Sequence, residues 1–258
     1  MAEGAEPILA IHGLQKSFGG VQAIRDVTLS FAPGSLTAII GPNGAGKTTF
    51  FNLISGAMRP TTGEILFDGE DVVGLDRTQI MFRGMARAFQ VASIFPTFTV
   101  EESLRAAVTA HRRKSLHMGR RFPLAESRER ADEVVEMLGL EAVRQVRACE
   151  LSHGDQKLLD IALALVLRPK VLLLDEPTAG MGPEERQQMM DKIYRQWKRE
   201  AMTLIFIEHD MDIVFRVAQT IRVLSYGAVL AEGTPEQIRA NPAVIEAYLG
   251  TAVQEEAS

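Results

Sequence analysis

The sequence contains a single cysteine, Cys149, among its 258 residues. One cysteine cannot form a disulfide within the chain, and no histidines and carboxylates stand at the spacing of a zinc site. No stretch approaches the roughly 18 uncharged apolar residues of a membrane-spanning helix, and the N-terminus lacks a basic segment followed by a long apolar one. We therefore expect no disulfide, no transmembrane helix and no signal peptide, and a reducing cytoplasm as the compartment.

The chain also lacks an excess of positive charge, with 28 lysines and arginines against 33 aspartates and glutamates and a net charge of −5. A protein that binds nucleic acid through phosphates needs a concentrated basic face, so we expect no nucleic-acid partner. One basic cluster stands out, at Arg112, Arg113, Lys114, Arg120 and Arg121. Its simplest interpretation is a solvated surface, and the alternative is contact with lipid headgroups or a membrane partner.

Short apolar runs separated by helical stretches predict an α/β fold. The runs at residues 35–40 and 170–175 are almost continuously apolar, as strands buried on both faces of a parallel sheet should be, and helical stretches follow both. Turn signals at Gly19, Gly34 and Gly63 separate the early strands with hairpin-like spacing, which suggests a smaller antiparallel flank. Further strands are expected at residues 8–11, 27–31, 64–67, 85–89, 204–207 and 220–224.

The segment between residues 90 and 151 has helical rather than strand patterning. Thr99 followed three residues later by Glu102 is typical of a helix N-terminus, and residues 126–138 carry an apolar stripe at helical spacing. Thr234 and Asn241, each followed by proline, are expected to begin two short C-terminal helices. We expect a single domain over residues 1–258, with a core of 1–90 and 151–234, an inserted helical lobe of 91–150, and C-terminal helices and a tail over 235–258.

A glycine-rich turn directly follows the first of the two buried strands. The sequence GPNGAGKT at residues 41–48 matches the pattern G-x-x-x-x-G-K-[ST], and a helical run follows it. In such a turn backbone N–H groups surround phosphate oxygens, Lys47 reaches the β- and γ-phosphates, and the Thr48 hydroxyl binds Mg²⁺. The alternative is a chance glycine-rich turn. The predicted nucleotide contacts here are Gly41, Asn43, Gly44, Gly46, Lys47, Thr48 and Thr49.

Two carboxylates end the second buried strand, in the sequence VLLLDEP at residues 171–177. Asp175 can hold the magnesium shell, and Glu176 beside it can act as the base for an attacking water. A strand that happens to end in acidic residues is the alternative, and the nearby phosphate loop weighs against it.

At these residues the sequence resembles the ATP-binding-cassette (ABC) family, over nearly the whole chain. Phe18 stands where that family stacks an aromatic ring on adenine, although an ordinary core phenylalanine is the alternative. Gln90 matches the glutamine that touches the metal and the attacking water and couples to the membrane partner. Ser152 and Gly154, in LSHGDQ at residues 151–156, match the signature that grips the γ-phosphate across a dimer interface. His209 matches the histidine that contacts the γ-phosphate.

The resemblance implies a fold and a set of partners. The fold would be a P-loop NTPase core with a mainly parallel central sheet, an antiparallel β flank and an inserted α-helical subdomain. The cofactors would be ATP and Mg²⁺, the metal held by Thr48, Gln90 and Asp175. Transmembrane permease subunits would contact the helical lobe, a second ABC ATPase would complete the site, and a periplasmic solute-binding protein would act indirectly. The chain would lie at the cytoplasmic face of the inner membrane.

Several segments resemble one subfamily, the ATPases of branched-chain (hydrophobic) amino-acid importers, although cassettes for urea, amides or aromatic acids share much of the pattern. These segments are GMARAFQ at 84–90, IFP at 94–96, AGMGPE at 179–184, EGTPE at 232–236 and AYLG at 247–250. That subfamily commonly pairs two different cassettes, which favours a heterodimer and leaves a homodimer open.

The sequence departs from the commonest family form at two places. His153 and Asp155 replace a glycine and a glutamine of the signature, and residues 179–182 lack the aspartate that crosses the dimer interface. Two other classes of function are the alternatives. A cassette ATPase that acts on nucleic acid or ribosomes would carry two cassettes in one chain or a long coiled coil, and this sequence has one cassette and no sustained heptads. A regulatory module without turnover would not need Lys47, Asp175, Glu176, Gln90 and His209 together.

Overall fold

The computed structural model describes residues 6–88, 96–111 and 125–255. The strands in this part of the chain are β1 Leu9–Phe18, β2 Val21–Phe31, β3 Leu36–Ile40, β4 Thr62–Phe67, β5 Glu70–Asp71, β6 Met85–Arg87, β7 Val171–Asp175, β8 Thr203–Ile207, β9 Thr220–Ser225 and β10 Ala228–Gly233. The α-helices are α1 Lys47–Ile54, α2 Arg77–Arg83, α3 Val100–His111, α4 Ala125–Leu138, α5 His153–Leu165, α6 Pro183–Glu200, α7 Met211–Val217, α8 Pro235–Arg239 and α9 Pro242–Glu255.

The central sheet has the strand order β10-β9-β3-β8-β7-β6. Strands β9, β3, β8, β7 and β6 run parallel to their neighbours, and β10 pairs antiparallel with β9. Every residue of β3 is buried, and so are the first four residues of β7, because helices cover one face of the sheet while α1 and a second sheet cover the other. The expected mainly parallel sheet is confirmed. The sheet brings the carboxyl ends of β3 and β7 to the same edge. The predicted phosphate loop and the predicted carboxylates Asp175 and Glu176 therefore lie at that edge.

A second, antiparallel sheet has the order β2-β1-β4-β5. Its inner face packs on α1 and on the face of the central sheet opposite the helical lobe, through side chains such as Leu14, Ile24, Phe50 and Phe67. This sheet is the expected antiparallel flank. Strand β1 ends at Phe18, where Gly19 and Gly20, both with positive φ, turn the chain into β2.

Helices α3 and α4 form the helical lobe on the other side of the core. The predicted capping box of α3 is confirmed: Glu102 N–H donates to the Thr99 hydroxyl oxygen at 3.2 Å, and Thr99 N–H donates to Oε2 of Glu102 at 2.9 Å. Val100 and Leu104 of α3 and Leu138 of α4 are fully buried in the cluster that joins the lobe to α5. The division of the chain at residues 90 and 151 stays a prediction, because residues 89–95 lie outside the described ranges.

The two C-terminal helices begin at the predicted prolines, but α9 is longer than the short helix expected, extending to Glu255. The Thr234 hydroxyl accepts a hydrogen bond from Gln237 N–H at 3.4 Å, which caps α8. Within the described residues, no helix has both the length and the apolar composition that are needed to cross a membrane.

Candidate nucleotide site

The phosphate loop connects the end of β3 to the start of α1. Gly46 precedes the helix with a φ of 99°, a left-handed conformation that a glycine adopts without strain, and no side chain caps the helix. The first N–H groups of α1 are therefore available to an anion. Gly41 allows a close approach of β9, because a Cβ there would lie 2.1 Å from the carbonyl oxygen of Leu224.

The C-terminal helix α9 also reaches this loop. Tyr248 packs against the main hydrophobic core and hydrogen-bonds the backbone of Gly41. Burial raises the pKa of Tyr248 to about 12, and the hydrogen bond opposes that rise. Helix α9 therefore supports Gly41, the first residue of the phosphate loop, through Tyr248.

Lys47 lies across the loop that it belongs to. Its Nζ donates to the carbonyl oxygens of Gly41 at 2.7 Å and Pro42 at 3.1 Å. Burial lowers the pKa of Lys47, and the carboxylates of Glu176 and Asp175 act in the opposite direction. The ammonium group is thus largely removed from water and held at the place where phosphate oxygens would replace the carbonyls.

Glu176 and His209 meet beside the loop. Oε1 of Glu176 lies 2.9 Å from Nε2 of His209, and the backbone N–H of Glu176 donates to the Ile207 carbonyl at 3.0 Å. Glu176 has a φ of 50°, an unusual conformation for a residue with a side chain. A cavity of about 260 Å³ is lined by the predicted residues Asn43, Gly44, Gly46, Lys47, Thr48, Thr49, Glu176 and His209, together with Ala23 and Ala45.

Asp175 is paired with an arginine that the sequence did not single out as a functional residue. Nη2 of Arg87 donates to Oδ2 of Asp175 at 2.6 Å, and Nη1 donates to Oδ1 of Asn52 at 2.8 Å. Burial lowers the pKa of Arg87, and Asp175 counteracts this. The pairing arises because β6 runs beside β7, with Arg87 opposite Leu173. The available signal in the sequence was an arginine within the predicted strand at residues 85–89, three residues before the predicted Gln90.

Glu208 is a second residue that sequence reasoning missed. Its side chain accepts hydrogen bonds from the backbone N–H of Thr178 at 2.9 Å, the Thr178 hydroxyl at 2.6 Å and the backbone N–H of His209 at 3.1 Å. Glu208 is 4% exposed, so this carboxylate links the segment after Glu176 to the segment that carries His209 inside the protein. A carboxylate at the end of the buried strand β8 was the signal in the sequence.

The signature residues lie apart from the phosphate loop of the same chain. Ser152 caps α5: its hydroxyl oxygen accepts from Asp155 N–H at 3.1 Å, and the hydroxyl donates to Oδ2 of Asp155 at 2.7 Å. Neither Ser152 nor Gly154 lines the cavity at the loop. The Ser152 hydroxyl is therefore hydrogen-bonded to Asp155, a residue at which the sequence departs from the common signature.

Phe18 is 45% exposed, so the interpretation of it as a core residue is wrong. The Lys16 ammonium lies 5.1 Å from the centre of its ring. Phe18 is not among the residues that line the cavity at the phosphate loop. Gln90 and the basic cluster at residues 112–121 lie outside the described ranges.

Similar known proteins identify the family of the chain. The family model described as "ABC transporter" matches residues 24–179, and one described as "Branched-chain amino acid ATP-binding cassette transporter" matches residues 228–254. The chain is 39% identical over 254 residues to the high-affinity branched-chain amino acid transport ATP-binding protein LivG of Escherichia coli K12, covering 96% of this chain and 100% of that protein.

Solved structures extend the likeness to the fold. The crystal structure of an ATP-binding cassette of an ABC transporter in its ADP conformation matches with a TM-score of 0.84 and 29% identity, covering 95% of this chain and 100% of the other. A dimeric cassette in a post-hydrolysis state, bound to ADP and phosphate, matches with a TM-score of 0.75 and 25% identity, covering 88% and 98%. The chain therefore belongs to the ABC transporter family, as a nucleotide-binding cassette and an ATPase.

Proposed function

We propose that this chain is the ATP-hydrolysing subunit of an importer for branched-chain or other hydrophobic amino acids. The observation that carries the catalytic part is the 2.9 Å contact between Glu176 and His209 beside the phosphate loop. The solute class is supported by the identity to LivG along the whole chain and by the match of the C-terminal segment to the branched-chain family model.

The hydrolytic step follows from the positions of three side chains. Lys47 exchanges its bonds to the Gly41 and Pro42 carbonyls for oxygens of the β- and γ-phosphates. Glu176 accepts a proton from water as the water oxygen attacks the γ-phosphorus. The bond from that phosphorus to the bridging oxygen breaks, and ADP and phosphate leave. His209, in contact with Glu176, orients that carboxylate and faces the γ-phosphate.

Mg²⁺ fits the donors at this site. Proteins usually hold magnesium through one or two of their own oxygens, together with phosphate oxygens and waters. The few protein oxygens at this site are therefore sufficient. The Thr48 hydroxyl at the start of α1 and the Asp175 carboxylate at the end of β7 would hold it, with Gln90 as a further ligand. Because Arg87 binds Oδ2 of Asp175, Oδ1 is the oxygen left for the metal or its water. When bound, the ion neutralises charge on the phosphates.

The membrane partners would bind the helical lobe at its boundary with the core. An apolar groove of about 480 Å³ lies there, between α2 and β6 on one side and α3 and α5 on the other; its lining includes Met81, Met85, Ala107, Leu163 and Leu167. Arg87 also lines it, and its guanidinium reaches Asp175. We assign this groove to a cytoplasmic segment of a permease subunit. A movement of that segment would displace Arg87, which is hydrogen-bonded to the proposed metal ligand Asp175.

The complete importer would hold two cassettes at the cytoplasmic face of the inner membrane. Ser152 and Gly154 do not reach the phosphate loop of their own chain, which supports a site completed by a second cassette. We propose that this second cassette is a related but different chain. A periplasmic solute-binding protein would deliver the amino acid to the permease subunits. The free energy of transport comes from the tighter binding of ATP by the closed dimer.

Uptake in the source organism tests this function. Replacing Glu176 by Gln in the chromosomal copy should abolish ATP-dependent uptake of labelled leucine, with unlabelled isoleucine and valine competing in the parent strain. The matched control is Glu64→Gln, at an exposed glutamate of β4, which should leave uptake unchanged. Normal leucine uptake in a strain whose Glu176→Gln complex no longer hydrolyses ATP would overturn the solute class, and loss of uptake of another solute in that strain would identify the correct one.

A further inference from the structure

The signature helix α5 contacts the segment that carries Glu176 in its own chain. Nε2 of His153 lies 3.3 Å from the carbonyl oxygen of Ala179, and Nζ of Lys157 donates to the carbonyl oxygen of Glu176 at 2.7 Å. Because a carbonyl can only accept, the first contact requires a proton on Nε2. His153 and Lys157 are four residues apart and so share one face of the helix. Together they hold both ends of a four-residue segment.

The segment is shaped to receive the imidazole ring of His153. Gly180 has a φ of 82°, and a Cβ added there would lie 3.0 Å from Nε2 of His153, closer than about nine in ten such contacts in proteins. The two departures from the common family form, His153 in the signature and the glycine-containing loop after Glu176, are therefore in contact with each other. The absence of a side chain at position 180 leaves the space that the ring of His153 uses.

Lys157 acts on Glu176 itself. Glu176 has a φ of 50°, and its carbonyl points to the Lys157 ammonium while its N–H is bound by Ile207. Four carboxylates attract this ammonium: those of Glu208, Glu176, Asp160 and Asp175. The backbone of Glu176 is thus fixed on one side by β8 and on the other by the signature helix.

We propose that His153 and Lys157 are positioning residues that join the signature turn to Glu176 within one chain. A shift of the first turn of α5, where the signature would meet the nucleotide of the partner cassette, then moves the carboxylate that acts on the chain's own nucleotide. This gives the dimer a route between its two sites that does not need an aspartate in residues 179–182. The inference rests on the proposed role of Glu176 in hydrolysis.

A suppressor experiment tests the contact. Gly180→Ala should lower kcat roughly 10-fold with the ATP affinity unchanged, because the phosphate loop is not touched, and in the His153→Ala background the same substitution should cost little further kcat. Both values are measured on the full-length chain in its membrane complex. His153→Gln, whose amide can donate to the Ala179 carbonyl, should retain more activity than His153→Ala. Lys157→Arg should likewise exceed Lys157→Met in kcat.

Gly69→Ala is the matched control for backbone strain. Gly69 has a φ of 78°, and a Cβ there meets nothing within 4 Å, so its substitution costs the left-handed penalty without a clash. In thermal unfolding of the purified chain, His153→Ala should relieve the defect of Gly180→Ala and leave that of Gly69→Ala unchanged.

The outcomes separate three cases. If His153→Ala does not relieve the thermal defect of Gly180→Ala and the kcat losses of the two substitutions add, the contact is wrong and the proposal falls. If His153→Ala relieves the thermal defect but by itself leaves kcat as in the parent, the contact is only structural and the positioning role is overturned. The thermal result does not depend on hydrolysis, so a failure of the proposed role of Glu176, seen as full activity in Glu176→Gln, is recognised separately.

Discussion

Contacts with three neighbouring residues hold Glu176 in its strained backbone conformation. A left-handed backbone at a residue with a side chain costs roughly 1 kcal/mol or more and persists only where the surroundings fix it. Here the N–H is bound by the Ile207 carbonyl, the carbonyl by Lys157, and the carboxylate by His209. In this conformation Glu176 lines the cavity at the phosphate loop, where the proposed base for water would act.

Phe18 offers a test of how adenine is held. Phe18→Ala should weaken ATP binding by about 5- to 150-fold, equivalent to the roughly 1 to 3 kcal/mol of a base stacked on an aromatic ring. Phe18→Tyr, which keeps the ring, is the control and should bind ATP like the parent. The preference between ATP and GTP should not change, because a bare ring contacts no base edge. Titration calorimetry measures these affinities, and an unaltered value for Phe18→Ala would exclude Phe18 from the adenine site.

Some site residues can be predicted from the sequence because their chemistry is local. Lys47 and Thr48 belong to one turn, and Asp175 and Glu176 end one strand, so a contiguous motif contains them. The roles of Arg87 and Glu208 depend instead on the register between strands: Arg87 stands opposite Leu173, and Glu208 follows Ile207, which is paired with Asp175. That register is set by the packing of the whole sheet, and no pattern within either segment states it.

At the scale of elements, one glutamate fastens the helical lobe. Glu101, in the first turn of α3, accepts hydrogen bonds from Nε of Arg144 at 2.8 Å, Nε2 of Gln145 at 2.8 Å and Nη1 of Arg105 at 3.1 Å. The hydrogen bond from Arg144 is the largest cause that lowers the pKa of Glu101 to about 2 from its ordinary value of 4.5. The carboxylate therefore joins α3 to the chain that follows α4.

This pairing predicts how stability depends on pH. The contribution of Glu101 is complete above its ordinary pKa of 4.5 and is lost as the pH falls toward about 2. Glu101→Gln should cost roughly 2 to 3 kcal/mol of unfolding free energy at pH 7, and this difference should shrink between pH 5 and pH 2.5. Urea unfolding at several pH values measures it. Glu136→Gln, at an exposed position of α4, is the control; an equal loss in both variants would contradict the argument.

The elements that the sequence predicts best are those with the strongest hydrophobic pattern. The runs expected at residues 35–40 and 170–175 correspond to β3 and β7, and each strand begins one residue later than its run. These strands are the easiest to predict because both are buried on two faces. Strand β10 was missed: its residues are half-buried or exposed, since it lies at the sheet edge, so no apolar run marks it. Helix α2 was missed as well, being seven residues long with Ile80 as its buried residue.

At the scale of the whole molecule, the order of the strands could not be derived from the sequence itself. Residues 36 to 40 pair with residues near 204 and 220, more than a hundred positions away in each case. Local patterns predict that such strands exist, and only the resemblance to ABC cassettes implied how they assemble. The same holds for the proposed dimer, because Ser152 and Gly154 do not line the cavity at the phosphate loop of their own chain.

The composition of that dimer is open to direct measurement. We expect native mass spectrometry of the membrane-extracted complex to find one copy of this chain, one related cassette and two membrane subunits. The purified chain alone should be mainly monomeric, with ATP promoting only weak self-association. The control is the same extraction from a strain that lacks this chain, in which the assembly should be missing. Two copies of this chain without a second cassette would contradict the heterodimer and leave the ATPase role intact.

The most direct test of the catalytic account is the Glu176→Gln variant in the complete transporter. This substitution keeps the size of the side chain and removes its ability to accept the proton of the attacking water. Steady-state ATP hydrolysis should fall by at least the ~10²-fold typical of a lost general base, while the thermal stabilisation by Mg-ATP stays as in the parent. Hydrolysis at a near-normal rate in this variant would contradict the assignment of Glu176, and with it the account of the site.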